Sequence, residues 1–168
     1  VALHDDLLEQ ARHLSTREIV GPPRQASLRR AVSAAYYSLF HLFVAEASSL
    51  LPANPPGLRG RVSRAFVHDE MKAVCKAIAA SAPAATTAAI LSPQKFSSQL
   101  RDVAKVFSDL QDARHRADYD LSEKFTRTQT LSFVWQAEFA FLTWNLIRNR
   151  DEARVFLAAL LLQKRWSR

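Results

Sequence analysis

Two charged residues four positions apart, Arg114 and Asp118, interrupt an otherwise apolar pattern. Projecting the preceding stretch as a helix at about 100° per residue places Phe96, Leu100, Val103, Phe107 and Leu110 on one stripe, which runs on through Arg114 and Asp118. At that spacing the two side chains pair along the helix, and a core-facing charge is tolerable only when paired and hydrogen-bonded. The pattern fits either a helix whose last turns emerge into solvent or a polar pocket at the inner end of a bundle. A guanidinium fork in such a place matches the geometry of a phosphate. His115 lies about 100° from Arg114 around the helix, as an exposed neighbour or an assisting imidazole. Tyr119, with an ordinary pKa near 10, is a poor proton acceptor at neutral pH.

A second stretch puts Arg30, Tyr37 and His41 within about 40° of one another, opposite its apolar stripe. Ala34 and Val44 beside them make this face unlike a water-washed one, so it is expected to meet a second subunit or another helix. Tyr36 and Tyr37 read most simply as core and interface aromatics. Glu138 falls among Leu131, Val134 and Leu142, either as a counter-charge for an inward arginine or as an exposed carboxylate that snorkels. His4 and His13 belong to no constellation. No pair of His or carboxylate residues has helical ligand spacing with a third partner suggested, so the sequence implies no metal and no other cofactor.

These residues have to be positioned by helices. Only 3 glycines occur, too few for the turns of a β-rich fold, while the long runs of Ala, Leu, Arg, Gln and Glu favour helix. A first helix is expected over Leu3–Val20, stopped by Gly21, Pro22 and Pro23. The second covers about Arg24–Leu51, where Leu28, Val32, Ala35, Tyr36, Leu39, Phe43 and Ala47 recur at three- and four-residue steps. Pro52, Pro55, Pro56 and Gly57 form a connector. The third helix starts between Gly60 and His68 and ends near Ser81, and Ala82 to Pro93 reads as a loop with one helical turn at Ala88–Leu91. The fourth, fifth and sixth cover about Pro93–Asp118, Glu123–Asn149 and Asp151–Arg165. The expectation is a single all-α domain over 1–168, an up-and-down bundle of five to six helices.

A net charge of +7 draws the chain toward polyanions, but its 23 basic residues are dispersed rather than gathered in one arm. The denser places are Arg29 and Arg30; Arg59, Arg61 and Arg64; Arg148, Arg150 and Arg154; and Lys164, Arg165 and Arg168. Each alone reads as a solvated helix end or face. The single cysteine, Cys75, excludes a disulfide within the chain and points to a reducing, cytoplasmic compartment. Its helical spacing from Met71 and Ile78 marks it as inert core packing. No segment approaches the length of a membrane span; the nearest, Val155–Leu162, is flanked by Arg154 and Lys164.

Three separated motifs stand in order: Arg29 to His41 as R-R-A-V-S-A-A-Y-Y-S-L-F-H, Arg64 to Lys72 as R-A-F-V-H-D-E-M-K, and Arg114 to Asp120 as R-H-R-A-D-Y-D. Over about Ser27–Leu146 the chain resembles small stand-alone bacterial proteins of the HEPN superfamily. That resemblance implies a helical bundle, commonly a homodimer, often encoded beside a nucleotidyltransferase as a toxin and antitoxin pair, with RNA or a nucleotide as its ligand. In the catalytic branch an Arg followed by four to six residues and then His cuts RNA without metal. Here the match fails: the positions where that His would fall after Arg114 are Tyr119, Asp120 and Leu121, and after Arg116 they are Leu121, Ser122 and Glu123. Cleavage of this kind needs a proton acceptor for the 2′-hydroxyl and a donor for the leaving oxygen, work suited to imidazole. The substitutes are His115, or His41 or His68 brought in from other helices. Arg61 and His68 have the literal spacing but lie before the third helix. The site expected from the resemblance is Arg114 on phosphate, held or assisted by His115, Asp118 and Tyr119, with Arg30, Tyr37, His41 and His68 as accessories. The alternative is a non-catalytic interaction or dimerisation module in which Arg114 and Asp118 form a structural pair.

Overall fold

The structure is a computed structural model that describes residues 2–18, 20–51 and 57–166, and these form eight helices and no strand. The helices are α1 (Leu3–Ser15), α2 (Gln25–Ser49), α3 (Leu58–Ser63), α4 (His68–Ala79), α5 (Ala85–Leu91), α6 (Ser98–Tyr119), α7 (Arg127–Ile147) and α8 (Asp151–Trp166). The all-α class is as the sequence predicts, but the count exceeds the expected five to six. Two short elements account for the difference. α3 precedes a break before α4, and the apolar run expected to give one turn extends into α5, which buries Thr87 and Leu91. The prolines of the expected connector, Pro52, Pro55 and Pro56, lie outside the described residues, as do Ile19 and Arg168.

Helix ends follow local chemistry. α1 stops at Ser15 rather than Val20 because the hydroxyls of Ser15 and Thr16 both donate to the Arg12 carbonyl, at 2.7 and 3.1 Å, and occupy the acceptor that would continue the helix. Asp5 and Asp6 in its first turn and Arg12 and His13 in its last complement the helix dipole. α6 begins at Ser98, not Pro93. Ser97 caps it, its Oγ accepting the Leu100 N–H at 3.2 Å. The buried Glu152 carboxylate in turn accepts the Ser97 N–H at 2.6 Å and the Ser97 hydroxyl at 2.8 Å. At α4 the residues before and after the start are apolar: Phe66 and Met71 hold the positions of a hydrophobic staple and both are buried. The middle motif thus has a structural reading, with His68 as the first residue of α4.

The helices divide into two units. One contains the described residues of 1–41 and 106–142: α1, α2 up to His41, α6 from Val106, and α7 up to Leu142. Its core includes Leu28, Val32, Ala113, Ala117 and Phe125, with Phe133 packed against them. The other unit contains the described residues of 42–105 and 143–168. There Phe43, Trp144 and Phe156 form a ring cluster with centroids 5.2 to 6.0 Å apart. α8 packs against α4 and α5. Cys75 is fully buried on α4, and burial pushes its thiol well above the ordinary value, consistent with inert packing. Among the described residues, no helix is long and apolar enough to cross a membrane.

Candidate functional site

α2 and α6 bring most of the polar residues picked out from the sequence together in the first unit. The core stripe of α6 is buried from Leu100 to Leu110 and then reaches Arg114 and Asp118, whose side chains are 17% and 21% exposed. They are therefore at the edge of the core, neither in open solvent nor in an enclosed pocket. Arg114 Nε stands 2.8 Å from Asp118 Oδ2. That nitrogen is buried and its N–H is not aimed for a hydrogen bond, so the contact is an ion pair by proximity. Arg114 Nη2 donates to the Tyr37 hydroxyl. Asp118 Oδ1 accepts the Ser33 hydroxyl at 2.6 Å. Three tyrosines surround the guanidinium carbon, with ring centroids 5.9 Å away for Tyr36, 5.2 Å for Tyr37 and 5.6 Å for Tyr119. Burial works against the Arg114 charge, but Tyr37, Asp118 and Tyr119 outweigh it and hold its proton above the ordinary arginine value.

None of the family models, curated proteins or solved structures compared with this chain matches it. The site is therefore read from its own geometry. His41 is half-buried between aromatic neighbours, 6.4 Å from Tyr37 and 5.3 Å from Phe40 between centroids. Tyr37 thus has both His41 and Arg114 as neighbours. His115 and Tyr119 are both exposed, with ring centroids 5.1 Å apart and planes tilted by 48°. Arg30 is exposed on the line of α2 that leads to Tyr37. His68 begins α4, in the other unit. No imidazole hydrogen-bonds to Arg114, Asp118 or Tyr119 among the described residues. Glu138 does find an arginine, but it is the exposed Arg12 of α1 rather than an inward one. No three His, Cys, Asp or Glu side chains converge as a metal site among the described residues.

Sequence reasoning missed two residues that build this region. Ser33 fixes Asp118, and its position three residues after Arg30 and four before Tyr37 is the signal that it shares their line. Arg29 is the other. Its guanidinium donates to the carbonyls of Ala117 at 2.8 Å, Asp120 at 2.9 Å and Glu123. It thereby closes the C-terminal end of α6, where no glycine is available to cap the helix. The adjacent arginines thus diverge: Arg29 turns to backbone carbonyls and Arg30 to solvent. Asp120, the last residue of the third motif, is a turn residue. Its carboxylate accepts the Ser122 hydroxyl and N–H, at 2.6 and 2.9 Å, and these bonds lower its pKa.

Chemically, the arrangement is a guanidinium fixed by an aromatic cage, a carboxylate and a phenol. Its Nη1 has no hydrogen bond among the described residues. Beside it lies an exposed pair of rings. That combination offers an N–H edge to an anion and a face to a planar ring.

Proposed function

We propose that this chain is a HEPN-like protein that associates with RNA or a nucleotide. In this reading Arg114 meets a phosphate while Tyr119 and His115 stack on a base. The observation that carries it is the 64%-exposed Tyr119 ring, set 5.6 Å from a caged guanidinium and against His115. Aromatic faces and arginine planes are the usual means of holding unpaired bases. The net charge of +7 acts in the same direction. The resemblance to bacterial HEPN proteins adds a setting, a cytoplasmic toxin and antitoxin pair with a nucleotidyltransferase as partner.

Fluorescence anisotropy with a labelled single-stranded RNA tests the binding. Stacking is worth about 1–3 kcal/mol per base, so Tyr119→Ala should weaken binding roughly tenfold or more. Unchanged affinity in Tyr119→Ala and Arg114→Ala together would remove the site. An RNA-degradation assay with wild type, Arg114→Ala and His115→Ala then decides whether binding leads to cleavage. Equal residual cleavage by all three would sink a catalytic role.

A second reading, the non-catalytic interaction module, is favoured by the number of ties on Arg114 and Asp118. If they serve only to fix α2 against α6, Arg114→Ala should cost about 2–4 kcal/mol in thermal melts and leave RNA affinity of the folded protein unaltered.

A further inference from the structure

The second unit contains a partly enclosed cavity of about 430 Å³ between the end of α4, α5 and the start of α6. Small-molecule sites occupy roughly 300–1,000 Å³, so this one suits a small ligand. Ile78, Leu91 and Phe96, all buried, and the half-buried Ala88 make its apolar wall. Ser81, Lys95 and Arg101 line it too, and no Asp or Glu does. Lys95 is exposed and Arg101 partly so, which puts both cations at the solvent side of an apolar space.

The turn after α4 fixes one of them. The Ser81 N–H donates to the Ile78 carbonyl at 3.0 Å and the Ala82 N–H to the Ala77 carbonyl at 2.9 Å, the paired bonds of a Schellman cap. Such a cap turns on a residue in the left-handed region, most often glycine, and here Ser81 has φ 58°. Glycine would hold that backbone with less strain. It would also lack the hydroxyl that accepts a hydrogen bond from Arg101 Nη1. The strained serine thus aims a guanidinium that pairs with no carboxylate among the described residues.

We propose that this cavity binds a small monocarboxylate with an apolar body, its head on Arg101 and Lys95 and its body against Ile78, Leu91 and Phe96. Ser81 occupies Nη1 alone, which leaves the Nε and Nη2 edge of Arg101 for two parallel bonds to a planar carboxylate. The wall decides the body. Aliphatic and phenyl side chains offer no partner to the polar edges of a base or a sugar, whose burial there would leave hydrogen bonds unmade. A carbon chain or ring gains by leaving water. Volume sets its length: at roughly 30 Å³ per water-sized group, the space takes about ten to fourteen heavy atoms. None of the lining residues belongs to the Arg114 cluster, so the RNA reading and this one stand or fall separately.

Titration of the full chain with octanoate, a member of that class, followed by amide NMR tests the site. Signals of Ile78, Leu91 and Phe96 should shift and saturate at millimolar ligand. Octylamine, the same chain with a cationic head, should bind at least about tenfold more weakly, because the two cations repel it. Lys95→Gln and Arg101→Gln should each weaken octanoate roughly three- to tenfold. Arg64→Gln, which removes an exposed cation outside the lining, should leave the affinity as it was. Ala88→Leu fills the cavity and should abolish binding with helical circular dichroism unaltered. Octanoate that shifts no signal of the cavity, or octylamine that binds as tightly, would overturn the assignment. So would affinity unmoved in both Lys95→Gln and Arg101→Gln, a result that can be read even if Ala88→Leu does not fold.

Discussion

Three arginines of one residue type meet three different ends in the first unit. Arg114 is caged by rings and held by Asp118, Arg29 is tied to backbone carbonyls, and Arg30 is left to solvent. What separates them is which acceptors lie within reach. Histidine shows the same dependence on surroundings. His41 is half-buried beside Tyr37 and Phe40, and desolvation, followed by the charge of His4, lowers its pKa below the ordinary 6.5. The folded chain then takes up the proton less readily than the unfolded one. Stability is full above the unfolded value and is lost as pH falls from there toward the folded value. Wild type should therefore lose stability, relative to His41→Gln, as pH falls below the ordinary histidine value of about 6.5. An NMR titration checks the cause directly. A His41 midpoint at or above 6.5 would contradict it.

At the scale of elements, the end of α6 illustrates how a helix lacking a glycine cap is closed from outside. Arg29 of α2 does it, while Gln25 of α2 holds the loop that follows: the Gln25 amide donates to the Phe125 carbonyl at 2.7 Å and accepts its N–H at 3.0 Å. Arg29 takes the carbonyls of Ala117, Asp120 and Glu123. Hydrogen bonds to a charged donor are worth about 1.5–3 kcal/mol, so Arg29→Ala should cost about 2–3 kcal/mol after allowance for partial exposure. Arg30→Ala should stay within about 0.5 kcal/mol. Urea melts of the two variants compare them, and equal costs would show that the carbonyl contacts add nothing. Periodicity made α2 and α6 legible, because apolar residues recurring at three- and four-residue steps leave little ambiguity. Their ends were less so. Where α1 stops depends on two hydroxyls turning back to Arg12, and where α6 starts depends on Glu152, more than fifty residues away. The ion pair of Arg114 with Asp118 was readable from a four-residue spacing on one helix, whereas Ser33 and Tyr37 required the pairing of two helices.

For the molecule as a whole, charge is the property that reaches furthest. Several cations are already neutralised in place: Arg148 by Glu46, Lys164 by Glu70, Arg116 by Glu123 and Arg154 by Asp151. The net +7 therefore resides in other residues spread over the surface, and by itself it would attract any polyanion without preference for place. Salt dependence distinguishes general attraction from binding at the Arg114 cluster. Single-stranded binding weakens with a log–log slope of about −0.7 per neutralised phosphate, so two or three contacts give a slope of about −1.4 to −2. If the cluster is the site, Arg30→Ala should make that slope shallower by about 0.7, because Arg30 lies exposed on the same line of α2 as Tyr37. Arg64→Ala removes another exposed cation, in the other unit, and should leave the slope as it was. Equal shifts from the two variants would mean that RNA is held by the charge of the molecule at large rather than by the guanidinium, rings and hydroxyls that α2 and α6 bring together.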